Sequence, residues 1–338
     1  MNFSSKSLIK CRKFNSISER RHCHKIILAL RDYHFWKRIV NFETMLQPIK
    51  SFLLLVVAAI LFSKTGLSQK ISGRLSFDQA QTIGITISVK STFSQEAMGQ
   101  AIDFLVDARG YHTYKVTNST DDNTTLHHEM KRVSFNFEGG GQKRSFDSEN
   151  KKDIDGMFGT PIKEMLAKTY DMVIDRTGKT LLVQPENIQL SKADDRLVIV
   201  TNMLKDITSI VYPPKKNEAS FFMVLPGKEV GIGDAWSESG EDAGGKYNTT
   251  YTLSAITDTT VIVALKGSST TITKAEVMGT ETSTKMNNSY TGNIILDRST
   301  AIMKEKTIAI NSTGTTEMMG GSIPVTSKTT ITVRTAKN

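Results

Sequence analysis

The chain has 338 residues, and 43 Lys and Arg against 34 Asp and Glu give it a formal charge of +9. Residues 1–68 hold 12 of the basic residues and three acidic ones, so this segment carries the whole excess and residues 69–338 are neutral. A neutral body lacks the basic surface that phosphate binding requires, which argues against a nucleic-acid partner. Both cysteines, Cys11 and Cys23, precede residue 69, so the body can form neither a disulfide nor a thiolate–metal site.

The first predicted element is a secretory signal peptide at residues 45–68. Its apolar run, SFLLLVVAAILF, has 12 residues between two lysines. A helix needs about 20 apolar residues to cross a bilayer, so this run is typical of the central region of a signal instead. The small residues that follow predict cleavage between Ser68 and Gln69. We therefore expect an exported protein of the periplasm, the cell envelope or the extracellular space, which meets the membrane only through its cleaved signal.

Residues 1–44 precede Met45, which opens a short basic region of ordinary signal form. We interpret 1–44 as a spurious upstream extension that arises from a misassigned start. The alternative is that residues 25–40 form a basic amphipathic helix on an anionic membrane.

The body, residues 69–338, is predicted to be mainly β. Its apolar and polar residues alternate with a period of two, which is typical of antiparallel strands with one buried and one solvated face. Threonine supplies 23 of residues 241–338, and its β-branched side chain suits a solvated strand. The clearest alternating positions are Ile83, Ile85, Ile87 and Val89, then Val133, Phe135 and Phe137, and later Tyr247, Thr249, Tyr251, Leu253 and Ala255.

Two or three short helices are expected beside the strands. Thr160 as cap and Pro161 in the first turn predict a helix over 161–170. Apolar residues at helical spacing predict a second over 194–212, which ends before two prolines. The apolar residues of 95–108 predict a third.

Two strings recur along the body in the same order. The pairs are YKVTNSTD at 114–121 with YTLSAITD at 251–258, and VIDRT at 173–177 with ILDRS at 295–299. We interpret the body as two related antiparallel β-meander halves, 69–212 and 213–338, which form a twisted sheet or half-barrel.

Two further strings carry a resemblance to a family. One is Phe146-Asp147-Ser148, and the other is Val230 to Trp236. With the signal peptide and the β-rich body, they resemble exported bacterial proteins that are known only as a domain of unknown function. The resemblance covers most of residues 80–335, and it implies no activity, cofactor or catalytic residue.

The second string supplies the candidate site residues Gly231, Gly233, Asp234 and Trp236. Glycines permit backbone bends, and an aspartate accepts hydrogen bonds from the N–H groups of a turn. A tryptophan that starts a strand buries a large surface. We predict a structural corner here, with contact between Trp236 and a ligand as the alternative.

Metal binding is not predicted. His127 and His128 are adjacent, so they point to opposite faces of a strand, and only one of them can join His112 or Glu129. We expect these histidines on a surface strand. Residues 153–156, DIDG, match only part of a calcium loop and are interpreted as a polar loop.

Catalytic chemistry finds no support in the sequence either. It contains no G-x-S-x-G nucleophile string, and Asp194-Asp195 is best explained as a helix cap. The glycine strings at 139–141 and 244–245 lack the Lys-Ser/Thr of a phosphate loop and predict hairpin turns. We therefore predict no catalytic residue, no cofactor and no metal, and a protein that is not an enzyme.

Carbohydrate binding is a rival hypothesis for an exported β protein. Sugar sites usually offer exposed aromatic platforms, and Tyr290 is the only aromatic residue after Tyr251. The Asn-x-Ser/Thr sequons are interpreted as turns rather than glycosylation sites; they begin at Asn118, Asn123, Asn248, Asn287 and Asn311.

The sequence thus favours a non-enzymatic interaction or structural protein of the cell envelope with an unidentified protein partner. The alternative is a carrier of an apolar, lipid-like ligand in a cavity between sheet and helices. A hydrolase ranks last, since no paired carboxylates or nucleophile can be placed from the sequence.

Overall fold

The structure, a computed structural model, describes residues 69–97, 100–189, 204–242, 244–277, 280–318 and 321–337. The predicted upstream extension, the signal peptide with Ser68, and residues 194–203 of the second predicted helix lie outside the described residues.

Fourteen strands account for most of the described body, and twelve of them form one antiparallel sheet. The fold class predicted from the alternating pattern is therefore confirmed. In chain order the strands are β1 (Lys70–Ile71), β2 (Thr82–Ala97), β3 (Gln100–Ser119), β4 (Asn123–Gly139), β5 (Gln142–Asp147), β6 (Thr169–Asp175), β7 (Thr180–Gln184), β8 (Val230–Gly231), β9 (Ala235–Asp242), β10 (Gly245–Ile256), β11 (Thr260–Val277), β12 (Thr280–Asp297), β13 (Met303–Met318) and β14 (Gly321–Lys337).

The large sheet is open, with β7 and β9 at its two ends. Its order is β7-β6-β4-β3-β2-β14-β13-β12-β11-β10-β9, and β5 pairs with β4. Strands of the two predicted halves meet where β2 pairs with β14, from Ile83 opposite Lys337 to Gln95 opposite Val325. The boundary at 212/213 stays a prediction, while the two halves supply adjoining parts of one sheet.

One face of this sheet, the core face, carries the buried apolar residues. Ile83, Ile85, Ile87 and Val89 are at most 3% exposed, as their alternation predicts. The opposite face, here the outer face, carries the intervening polar residues. Directly opposed residues of neighbouring strands share a face, so the register assigns every strand position to one of the two.

Helical structure is scarce in the described residues. Helix α1 is Lys151–Ile154, α2 is Gly159–Leu166, and residues 204–208 are helical before a 3-10 turn at Ser209–Val211. The helix expected over 161–170 thus begins and ends earlier, because β6 starts at Thr169. None of these helices is long and apolar enough to cross a membrane.

The helix predicted over 95–108 is wrong, because these residues belong to β2 and β3. Val106 and Ala108 are buried on the core face, while Asp107 forms ion pairs with Lys90 and Arg109. A period of two therefore extends through this stretch, and the apolar residues at helical spacing were coincidental.

The recurring strings occupy corresponding places in the two halves. Thr120 N–H donates to the Asn123 carbonyl at 2.9 Å between β3 and β4, and Thr257 N–H donates to the Thr260 carbonyl at 2.8 Å between β10 and β11. Each second strand then pairs with the strand that carries the other string, which places Asn123 opposite Asp175 and Thr260 opposite Asp297. An internal repeat stays a prediction, but the two strings serve matching turns.

The two aspartates have the same local role. The Asp175 carboxylate accepts from the Thr177 N–H at 2.8 Å, and Asp297 accepts from the Ser299 N–H at 3.0 Å. Hydrogen bonding by the Ser299 hydroxyl, chiefly, holds the pKa of Asp297 well below its usual range.

The segment before β2 crosses the ends of both halves. Leu75 N–H donates to the Arg176 carbonyl at 2.7 Å, and Ser76 N–H donates to the Thr300 carbonyl at 3.1 Å. The side chains of Leu75 and Phe77 are buried, so this segment closes one end of the core.

Candidate functional site

The corner predicted at Gly231, Gly233, Asp234 and Trp236 lies between β8 and β9. Asp234 Oδ2 accepts from the Gly231 N–H at 2.8 Å, and Gly233 has a positive φ of 92°. A left-handed backbone of this kind favours glycine. The corner is anchored to Leu253 of β10 by two backbone hydrogen bonds of 2.8 and 2.9 Å. These contacts give the first three residues a turn-forming geometry.

Trp236 is the second residue of β9, directly after this turn. Its ring stacks on Tyr251 with a centroid distance of 5.7 Å and an interplanar angle of 13°. Both rings are half-buried at the edge of the core. The Tyr251 hydroxyl donates to Glu238 at 3.2 Å, so this aromatic pair is held by contacts within the sheet.

The sequence missed a buried polar cluster on the core face of the first half. His112 and His128 are at most 1% exposed, and His112 Nδ1 lies 3.2 Å from His128 Nε2. The Tyr114 hydroxyl lies 2.7 Å from that of Tyr170. The expectation of a surface strand is therefore wrong for His112 and His128.

This His/Tyr cluster holds the 204–211 segment against the sheet. His112 Nε2–H donates to the Ile207 carbonyl at 2.8 Å, and the Tyr170 hydroxyl donates to the Ile210 carbonyl at 3.0 Å. Gly110 permits this approach, since a Cβ there would lie 2.6 Å from the Ile207 oxygen. The segment in turn buries Leu204, Ile207 and Val211.

The hydrogen bonds define the state of both imidazoles. A carbonyl only accepts, so His112 carries its proton on Nε2, and its Nδ1 accepts from His128 Nε2–H. Burial lowers the pKa of His112 to about 4, and burial with the neighbouring His112 lowers the pKa of His128 to about 3. Burial likewise raises the pKa of both tyrosines. The cluster is therefore neutral at physiological pH and closed to solvent.

His127 lies on the outer face, opposite to its neighbour His128, as adjacency in a strand requires. Its Nδ1 is 2.8 Å from Asp171 Oδ1, and its Nε2 is 3.4 Å from Glu129 Oε1. Within the described ranges, no three His, Cys, Asp or Glu side chains are arranged to hold a metal ion.

The remaining predicted motifs have structural places. Asp153 accepts from the Asp147 N–H at 2.9 Å, and Asp155 pairs with Lys163 at 2.8 Å, so these carboxylates have protein partners. Gly140 and Gly141 have φ values of 57° and 75° in the turn between β4 and β5, which confirms that hairpin. Gly244 and Gly245 lie where β9 connects to β10. Asp194 and Asp195 lie outside the described residues.

A pocket of about 950 Å³ opens where β2, β3, β13 and β14 extend beyond the packed core, beside the β4–β5 hairpin. We call it the tip pocket. On the core face it is lined by Phe93, Phe104, Ser312 and Ser327. Phe104 contacts Phe93 and Phe137 at centroid distances of 6.2 and 5.9 Å. The lining thus combines an aromatic wall and hydroxyl groups on the core face with the charged residues Asp103, Glu138, Lys143 and Lys328.

Two adjoining hollows of about 390 and 600 Å³ lie on the second half and share Asn248 and Ser268. We call them together the outer trough. Core-face positions border it at Gly240, Tyr247, Gly267, Ser269, Asn288 and Tyr290, while the other lining positions belong to the outer face. Those positions are Ser239, Glu241, Lys246, Asn248, Thr250, Lys266, Ser268, Thr270, Asn287, Ser289, Thr291, Ala309 and Asn311. All except Ala309 carry a hydrogen-bonding group.

Three sequons were wrongly expected in turns. Asn248, Asn287 and Asn311 lie within β10, β12 and β13 and line the outer trough. Local sequence could not reveal this surface, because it depends on the register of five strands.

Comparisons with known proteins give one family match. The model of a family described as a family of unknown function, DUF6263, matches residues 121–303. The curated proteins contain no match to the chain.

Solved structures resemble the chain only at low identity. A lipovitellin structure titled for lipid–protein interactions has 11% identity and a TM-score of 0.41, over 76% of this chain and 25% of its own. An outer membrane channel from Pseudomonas putida F1 has 7% identity and a TM-score of 0.19, over 78% and 98%. The β domain of the Bordetella autotransporter BrkA has 9% and 0.21, over 76% and 99%. The chain thus spans a quarter of the lipovitellin chain.

Proposed function

Because the chain belongs to a family of unknown function, DUF6263, we propose its role from its own geometry: an exported, non-enzymatic protein of the cell envelope that binds a partner through the outer trough. The observation that supports this proposal is a hollow, polar surface that spans five strands and is open to solvent.

The position of the two buried histidines supports binding over catalysis. His112 and His128 have strongly lowered pKa values, and groups of this kind often act in catalysis. Here burial beneath the 204–211 segment causes the pKa shifts, and the hydrogen bonds of the cluster join the strands to that segment. We therefore assign these buried groups a structural task.

Export is testable together with partner binding, because the body has no native cysteine. In cells that secrete the protein, Asn248→Cys and Asn136→Cys each place one thiol on the outer face, in the second and first half respectively. A membrane-impermeant maleimide should label both variants in intact cells. A bound partner should slow labelling of Asn248→Cys in cells relative to the purified protein, and leave Asn136→Cys unchanged.

Two results would count against the proposal. Labelling that requires cell lysis would contradict export, and equal labelling rates of Asn248→Cys in cells and after purification would contradict a partner at the trough. N-terminal sequencing of the exported protein should begin near Gln69.

A second candidate, a carrier of an apolar ligand, is favoured by the tip pocket. Its volume of about 950 Å³ lies within the range of small-molecule sites, and Phe93 and Phe104 give it an apolar wall. Mass spectrometry after organic extraction of the purified protein should then detect a lipid-like molecule, and Phe104→Ser should reduce its amount. Clean extracts from the wild-type protein would contradict the carrier hypothesis.

A further inference from the structure

We propose that the occupant of the outer trough is a neutral, extended glycan chain that lies across strands β9 to β13. This inference rests on the proposed function, since it names the partner of the same surface.

The register of five strands places complementary groups in a row. Asn311, Ser289, Ser268, Asn248 and Ser239 stand directly opposite one another from β13 to β9. Neighbouring strands are about 4.8 Å apart, so the row offers a polar group at a regular interval perpendicular to the strands. This interval is close to the length of one sugar ring, which suits a linear chain of rings.

The chemistry of this row selects the class of ligand. Side-chain amides and hydroxyls both donate and accept hydrogen bonds, as sugar hydroxyls do. An anionic ligand would need a surface of donors, and the two lysines of the trough, Lys246 and Lys266, are accompanied by Glu241. The exported body has no net charge, so long-range attraction of a polyanion is also lacking.

The end groups of the row are available for a ligand. Asn248 and Asn311 are exposed, and neither side chain hydrogen-bonds to another residue in the described part of the chain. The Asn248 backbone carbonyl accepts from the Tyr290 hydroxyl at 3.2 Å, which fixes the strand without using the amide. Replacement of either amide should therefore leave the fold intact.

A protein partner fits this surface less well. Protein interfaces are enriched in aromatic and large apolar side chains at their centre, whereas Ala309 is the one apolar residue among the outer-face positions that line the trough. The outer-face positions of the trough include no aromatic residue, which predicts weak binding per sugar, so affinity must accumulate along the chain. Dependence on chain length is the signature of this site.

Titration calorimetry of the purified protein with cellobiose, cellohexaose and chitohexaose tests the proposal. At least one hexasaccharide should bind, and cellobiose should bind at least tenfold more weakly than cellohexaose if cellohexaose is the ligand; chitobiose is the matching short probe for chitohexaose. Asn248→Ala and Asn311→Ala should each weaken hexasaccharide binding about fivefold, as loss of one net hydrogen bond does. Asn136→Ala, on the outer face of the first half, is the matched control and should bind as the wild type does.

Three results would overturn the glycan assignment: no binding of either hexasaccharide at millimolar concentration, equal affinity for short and long chains, or binding that both asparagine variants retain in full. If Asn248→Cys is nevertheless protected in cells, the partner is of another class and the proposed function survives. If Asn248→Cys is labelled equally fast in cells and after purification, the proposed function itself is wrong.

Discussion

The two halves of the sheet place different side chains at matching positions of one strand pattern. His128 stands between Tyr114 and Tyr170 in the first half, and Leu265 stands between Tyr251 and Gly292 at the corresponding place in the second. The first half therefore has a polar cluster where the second has an apolar residue and a glycine.

The 204–211 segment, which packs on the core face of the first half, explains this difference. In the first half the 204–211 segment brings two backbone carbonyls, of Ile207 and Ile210, down onto the core face, and buried carbonyls need donors. His112 and Tyr170 supply these donors. Matching strands thus carry different residues according to what packs on them, and the buried histidines of the described residues lie in the covered half.

The largest expected difference between the two halves is in the stability lost when the corresponding tyrosines are replaced. Tyr114 is 1% exposed, so Tyr114→Ala leaves a cavity and should lower the free energy of unfolding by about 3–5 kcal/mol. Tyr251 is half-buried, and Tyr251→Ala should lower it by about 1–2 kcal/mol. Urea denaturation of both variants measures the difference, and equal losses would show that the two halves are equally packed.

The second-largest expected effect is a loss of stability in acid, which originates in the buried histidines of the first half. The folded chain holds the pKa values of His112 and His128 at about 4 and 3, against 6.5 ordinarily. The unfolded chain therefore binds more protons as the pH falls from 6.5 towards 4, and stability present above pH 6.5 is lost in that window. The loss should reach about 1.4 kcal/mol per pH unit for each histidine at most. Urea midpoints at pH 7.5, 6.5, 5.5 and 4.5 measure it.

The second half supplies the control for that titration. A double variant, His112→Thr with His128→Leu, installs the residues found at the matching positions Thr249 and Leu265. Its stability should be lower at pH 7.5 but nearly constant down to pH 4.5. A slope that persists in this variant would assign the titration to other groups. Asp147 and Asp297 act lower, because their pKa values lie below 3.8.

The smallest expected effect is in the second half, at Lys306. It stands on the core face opposite Ile294 and Val333, and burial lowers its pKa. Its charged form is therefore disfavoured in the fold, and Lys306→Met should raise the free energy of unfolding by about 1 kcal/mol at pH 7. Wild-type stability should rise towards pH 10.5, and that rise should vanish in the variant. Lys266→Met, on the exposed outer face, should change neither; a destabilised Lys306→Met protein would show that the ammonium has a favourable partner.

Local alternation in the sequence predicted the strands well, because every second side chain of a strand points to the core face. Ile83 to Val89 shows how directly the pattern reports burial. The His/Tyr cluster was out of reach for a specific reason. In β4, Leu126, His128 and Met130 face the core at even positions, whereas Val133 and Phe135 face it at odd ones, because the pairing of β3 with β4 shifts register between Tyr111 and His112. Alternation counted from either end of β4 therefore assigns the residues beyond the register shift to the wrong face.

The outer trough was hidden for another reason. Each of its strands looks like an ordinary solvated strand, and the asparagines looked like turn residues. Only the pairing of five strands aligns them, and pairing between distant strands leaves no local trace in the sequence. The wrong helix over 95–108 has the opposite cause, since its apolar residues fitted two periods and only the sheet decides between them.

The pairing of β2 with β14 has a consequence for the order in which the molecule can assemble. A ribosome makes β2 early and β14 last among the described strands, so the long inner edge of β2 stays bare while the rest of the body is synthesised. Bare edges of this length invite pairing with other chains. A truncated or stalled product that lacks residues 321–337 would present two sheets with exposed inner edges, because the final strand pairs with both β13 and β2.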